Sequence, residues 1–142
     1  GTLSTGSVTT ATNKVWLDLE SNAEGGGFVY VYGSGTGLTS VSAGHTIPSV
    51  TANLAVTSEG YGMRVDSVTQ SAGGPLTAVS PYNGVSENVG LIDTTTRTIL
   101  NSSSVPITAG RGAFLLKAIT DTLTPAASDY TETLTVVASA TF

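Results

Sequence analysis

Apolar and polar positions alternate most regularly at the C-terminal end of the chain. In residues 130–142, YTETLTVVASATF, one parity carries Tyr130, Leu134, Val136, Ala138, Ala140 and Phe142, interrupted only by Glu132. The other carries Thr131, Thr133, Thr135, Val137, Ser139 and Thr141. Side chains alternate faces along a strand, so this stretch predicts a long strand with an apolar face and a hydroxyl face. Leu134, Val136 and Phe142 are its expected core anchors. Residues 14–20, KVWLDLE, alternate in the same way, with Val15, Leu17 and Leu19 inward. Trp16 falls on the polar face, either packed under a loop or exposed as a contact residue. Residues 28–32, FVYVY, are apolar on both parities and predict a central strand covered on both sides. The turn Glu24-Gly25-Gly26-Gly27 between these two strands predicts a hairpin.

Further strands are expected near residues 38–41, 46–50, 53–56, 60–68, 76–79, 88–92 and 97–100. In residues 60–68, Tyr61, Met63 and Val65 share the inward parity. Leu76 to Val79, between two prolines, predicts an edge strand closed by the Asn83-Gly84 turn. Residues 112–119, GAFLLKAI, are the most apolar stretch. They are short for a helix and preceded by Gly110 and Gly112, so they predict a strand, paired through the loop 120–129 with the C-terminal strand. Many short strands at turn intervals, with no amphipathic helix, predict an all-β fold: an antiparallel β-sandwich, jelly-roll or Ig-like.

Composition sharpens this picture in three ways. Charged residues make up 11% of the chain and glycine 17 of 142 residues, so the solvated surface is built from hydroxyls rather than lysines and glutamates. Such a surface suits extracellular all-β proteins. Periodic apolar residues and a net charge of -5 argue against disorder. The 5 basic residues against 10 acidic ones disfavour nucleic acid and anionic membranes as partners, and no apolar run reaches the roughly 18 residues of a transmembrane helix. At this length one domain is expected, and a domain of such size buries about 68–70% of its unfolded surface. The chain begins at Gly1 with no Met and no signal peptide and reads as processed or trimmed.

The residues that carry chemistry are sparse. There is no cysteine and a single histidine, His45. No disulfide, thiolate nucleophile or zinc–thiolate site can form, and no GxSxG or other motif places a serine beside His45. Asp18, Glu20, Asp66, Glu87 and Asp93 offer carboxylates for glycoside hydrolysis, but no spacing pairs them. Gly33-Ser34-Gly35-Thr36-Gly37 is GxGxG without a following helix, so it reads as a surface loop rather than a phosphate cradle. No DxDxDG-type calcium loop is present. The chain is therefore expected not to be an enzyme and to need no cofactor or metal. Asn101-Ser102-Ser103 is a candidate glycosylation sequon at Asn101.

Residues 1–12, GTLSTGSVTTAT, form an N-terminal extension to the sandwich domain of residues 13–142. Leu3 and Val8 are its larger apolar residues and have opposite parity. A β-bulge at Gly6 would bring both to one face, making Leu3, Gly6 and Val8 the candidate assembly residues.

Three stretches carry a resemblance: Glu59-Gly60-Tyr61-Gly62, Pro81-Tyr82-Asn83-Gly84, and Ser128-Asp129-Tyr130-Thr131 running on to Phe142. Together they resemble secreted Ser/Thr-rich β-proteins of bacterial surfaces. The ending is similar to the last strand of pilus subunits of the chaperone–usher and spore-coat-U kind. The opening Gly1-Thr2-Leu3 and the cysteine-free sandwich resemble biofilm-fibre subunits of the TasA/camelysin kind and archaeal bundling pili. Chaperone–usher subunits usually carry a disulfide and a penultimate aromatic, and this chain has neither, so the TasA-like or a related filament is the preferred likeness. The resemblance implies a structural subunit of an extracellular pilus or fibre at the cell surface, in which an N-terminal strand completes the sheet of a neighbouring subunit. Its partners would be copies of itself in a homopolymer, with surface glycans or other cells as further contacts. The competing expectation is a carbohydrate-binding or adhesin module in which Trp16 and the tyrosines stack on sugars.

Overall fold

The computed structural model describes residues 2–142; Gly1 lies outside the described residues. The strands run in chain order β1 (Thr9–Thr10), β2 (Val15–Ser21), β3 (Gly27–Gly33), β4 (Gly37–Ser40), β5 (His45–Pro48), β6 (Ala52–Asn53), β7 (Gly60–Thr69), β8 (Ala72–Gly73), β9 (Thr77–Ala78), β10 (Asn88–Val89), β11 (Arg97–Asn101), β12 (Ile107–Ile119) and β13 (Leu134–Ala140). The only helical piece among the described residues is a 3-10 turn, Leu54–Val56, where an extended piece is expected from the sequence. Asn53 starts it by accepting the Ala55 N–H on its side-chain oxygen at 3.0 Å.

Two larger antiparallel sheets face each other across one apolar cluster, giving the all-β, sandwich-like fold. The front sheet is built on β12, with β1 and β2 along one edge and β7 and β8 along the other. The back sheet runs β13-β3-β11-β9. Leu19, Met63, Val65 and Phe114 from the front meet Val29, Val31, Ile99 and Leu100 from the back. Tyr61, Met63 and Val65 are buried as their parity predicts. The sheets touch closely at Gly112, where any Cβ would lie 2.6 Å from Leu100 Cδ1. A register shift between Thr98 and Leu100 lets the consecutive residues Ile99 and Leu100 both point inward.

Three expectations about partners are corrected. First, β2 and β3 are not a hairpin: β2 pairs with β12 and β3 with β11 and β13, so residues 22–26 carry the chain from one sheet to the other. Secondly, β12 does not neighbour β13. It pairs with β2 and β7, and residues 120–133 cross to the back sheet, where β13 joins β3. Thirdly, the strand covered on both faces is β12, not β3. The outer side of β12 is closed by a second cluster in which Leu54 and Val89 pack on Ile119. On β3, Val29 and Val31 are buried while Phe28, Tyr30 and Tyr32 are only half-buried on the outer face.

The C-terminal strand departs most from expectation. Its parity is right: Val136 opposes the buried Val31 and Ala138 opposes Val29, so Leu134, Val136, Ala138 and Ala140 face inward. But β13 is an edge strand with little opposite it. In the front sheet the outermost lane is β2, and β2 packs on β3, with Leu19 reaching 3.0 Å from the Cβ position of Gly27. Leu134 still packs against the main cluster. Val136 is 39% exposed and Phe142, beyond the end of the strand, is 94% exposed, so neither is a core anchor.

Candidate functional site

Residues 2–10 lie along the edge of the chain's own β12. Thr9 and Thr10 oppose Ala118 and Lys117, and the Ala11 N–H donates to the Leu116 carbonyl at 2.9 Å. Further out, Thr5 bridges Thr120 and the Gly6 N–H donates to the Thr120 carbonyl at 2.7 Å. Gly6 has φ of 72°, a left-handed conformation that reverses the segment; it makes a turn, not the bulge expected there. Leu3 and Val8 consequently do not share a face. Leu3 packs on the main cluster, and Val8 packs on the second cluster with Leu54, Val89 and Ile119.

A break in the edge divides the segment from β2. Thr10 opposes Lys117 and Val15 opposes Phe114, so more residues stand on the N-terminal side than on β12 between these pairs. That surplus is an exposed break at Thr12 and Asn13, after which the same edge resumes as β2. Beyond the segment, an open cleft of about 710 Å³ separates it from the loop at 124–130, with Leu3, Leu38, Tyr61 and Tyr130 among its walls.

That loop is anchored by side-chain hydrogen bonds. Asp129 accepts from the Ser40 hydroxyl, and from the Ser42 hydroxyl and N–H at 2.7 and 2.9 Å. The Ser40 hydroxyl first, then Ser42, hold the Asp129 carboxyl far below the usual range. Glu59 accepts from Thr124 and contacts His45 Nε2 at 2.9 Å. His45 also meets the Tyr130 ring edge-on.

The carboxylates considered for catalysis are dispersed among cations. Asp66 joins Lys14 and Arg64, Asp93 joins Arg97 at 2.8 Å, Glu87 joins Lys117 at 2.7 Å and Asp18 lies 3.5 Å from Arg111. Among the described residues no group of three or more metal-ligating side chains gathers. Asn101 ends β11, and its side-chain oxygen accepts from the Ser103 N–H at 3.0 Å, while Ser102 is fully buried.

Two surface features carry exposed aromatics, the first read in the sequence as buried and the second expected there as one of two alternatives. On the outer face of the back sheet, Phe28 and Tyr30 stack with centroids 6.1 Å apart, in line with Tyr32 and flanked by Thr135, Val137 and Ser139 of β13. On the front sheet Trp16 is 52% exposed and lies under the Arg111 guanidinium at 4.7 Å. The alternating pattern of residues 28–32 held the signal for the first, since all its aromatics share one parity. Comparison with protein-family models, curated proteins and solved structures finds no match.

Proposed function

We propose that this chain is a structural subunit of an extracellular, cell-surface filament, a pilus or biofilm fibre, that polymerises by strand addition between copies. The observation that carries the reading is the N-terminal segment, which turns at Gly6, lies against the edge of β12, is seated by Leu3 and Val8 and is joined to the body through an exposed break at 12–13. If residues 2–10 left their own β12 and occupied that of a neighbour, every contact described above would be remade between copies. Each copy would then give a strand and receive one, a head-to-tail contact that need not close and so propagates.

Energetics define what else is required. Within one chain and between two chains the segment makes the same contacts, so exchange itself adds no net burial. Contacts between subunit bodies must supply the surplus over the lost translational freedom. The reading assigns no catalysis, cofactor or metal, and it takes copies of the chain as partners.

Electron microscopy of the full chain beside a deletion of residues 1–12 tests it. Fibres from the full chain and none from a folded deletion variant are expected. Discrete particles from the full chain at all concentrations, or fibres from both, would refute it.

The aromatic row Phe28, Tyr30 and Tyr32 favours a second reading, a carbohydrate-binding module, because half-exposed rings on an uncovered sheet can stack on sugar faces. Glycan-array binding lost in Tyr30→Ala would select it.

A further inference from the structure

We propose that the free edge of β13 pairs with the same edge of a second copy, antiparallel about a two-fold axis through Val137. This goes beyond the exchange of the N-terminal segment: the partner is again this chain, but the contact does not involve residues 1–12.

The hydrogen-bond phase determines which groups are free. Thr141 donates to Gly26 and accepts from Gly25, and Thr133 accepts from Ser34, so the odd-numbered residues of this strand bond toward β3. In an antiparallel ladder the alternate residues turn their N–H and C=O the other way. Leu134, Val136, Ala138 and Ala140 therefore present backbone donors and acceptors on an edge that no other strand takes among the described residues.

The edge lacks every usual device against such pairing. Exposed edges are ordinarily blunted by charge, proline, bulges or shortness. The opposite edge of the back sheet, β9, is only 2 residues long and stands between Pro75 and Pro81. The β2 edge of the front sheet carries Lys14, Asp18 and Glu20. By contrast β13 runs 7 residues in unbroken register with β3, and residues 133–142 contain neither a charged residue nor a proline. Val136 and Val137 are exposed on its two faces at 39% and 42%.

The strand's own sequence selects the second copy as the occupant, and charge permits it. The chain carries a net charge of -5, so most contacts between copies would bring carboxylates together. Along β13 nothing is charged, and the nearby Glu132 is engaged by Ser34 and the Gly35 N–H at 3.0 and 2.9 Å. The phase, with all four free residues of each copy paired, also specifies the register. Pairing the free residues gives Leu134 opposite Ala140 of the second copy and Val136 opposite its Ala138, about eight ladder hydrogen bonds in all. The pairs without hydrogen bonds are then Thr135 with Ser139, two hydroxyls, and Val137 with Val137, both favourable cross-strand partners. Two four-stranded back sheets become one continuous sheet.

Cysteine cross-linking of the full chain tests the register, because the native chain has no cysteine. Residues facing each other in a pair without hydrogen bonds lie about 4.5 Å apart at Cα, within disulfide reach. Val137→Cys should form a disulfide-linked dimer on mild oxidation, at least about tenfold faster than Thr135→Cys, whose counterpart lies several residues away. Val137→Lys, which sets two ammonium groups face to face on a half-exposed position, should abolish the dimer in sedimentation velocity with circular dichroism and melting unchanged. Cross-linking of Val137→Cys no faster than of Thr135→Cys, or the same sedimentation for Val137→Lys and the native chain, would overturn the proposal and leave the edge to a strand from another source.

Discussion

If the N-terminal segment is a separable strand, weakening its two anchors should open it without opening the body. The double substitution Leu3→Ala with Val8→Ala removes side-chain carbons from both clusters while leaving every backbone hydrogen bond in place. A fully buried methylene contributes about 0.8 kcal/mol. Leu3 and Val8 are only partly buried, so about half of the full value applies, and the docked state loses about 2 kcal/mol. That corresponds to about a 30-fold rise in the open population, read directly by native-state hydrogen exchange. The reporters are the Gly6 N–H, bonded to Thr120, and the Ala11 N–H, bonded to Leu116. Both should exchange about 30-fold faster. The Met63 N–H of β7, bonded to the Gly90 carbonyl in the body, should not change. Equal acceleration at Gly6 and Met63 would show that segment and body open as one unit, and strand exchange would lose its physical basis. No acceleration at either would show that Leu3 and Val8 do not hold the segment.

Other predictions concern the body. Met63 is fully buried at the centre of the main cluster, so Met63→Ala should cost about 2–5 kcal/mol, seen as a lower urea midpoint at unchanged slope. Gly26 has φ of 79° and a Cβ there would collide with Ser102 Oγ, so Gly26→Ala should destabilise the fold through both strain and collision by at least about 1–2 kcal/mol, read as a lower melting temperature. Asp129 has a folded pKa depressed below its unfolded value, so its contribution is present above the ordinary carboxylate range near 4 and is lost as pH falls through the folded value. An NMR titration should find its midpoint below that of a model aspartate, and Asp129→Asn should flatten the acid dependence of the 124–130 loop's amide exchange.

Faces were legible in the sequence and partners were not. The parity of residues 60–68 places Tyr61, Met63 and Val65 inside, and the parity of residues 130–142 places Val136 on the face it shares with Val31, both as observed. Period-2 alternation reports only which side chains share a face. It is silent on whether another layer covers that face. Alternation alone puts Val136 and Phe142 in the core for this reason, though no front-sheet strand lies over them. The same silence makes Phe28, Tyr30 and Tyr32 read as a buried face. Pairing fails for a different reason. Sequential strands often pair, but here β2 and β3, and then β12 and β13, each cross between sheets, as Greek-key sandwiches do. The turn at Gly6 escapes a sequence reading because a glycine allows a bulge and a reversal equally, and the choice is made by where Leu3 and Val8 find their clusters.

The distribution of charge along the strands connects the two proposals. The chain has only 5 basic residues, and most of them are committed to ion pairs on or beside the front sheet: Lys14 and Arg64 with Asp66, Lys117 with Glu87, Arg111 with Asp18. Lys117 is almost completely buried, on the very strand that receives the N-terminal segment. Glu87 holds its ammonium at 2.7 Å. The β13 edge has the opposite character, uncharged and in regular register over its whole length. One edge thus carries a buried ion pair and the other carries no charge. A subunit with both can join copies through an exchanged strand at one flank and through a symmetric sheet contact at the other. In the proposed filament the second contact would supply the body-to-body burial that exchange by itself cannot.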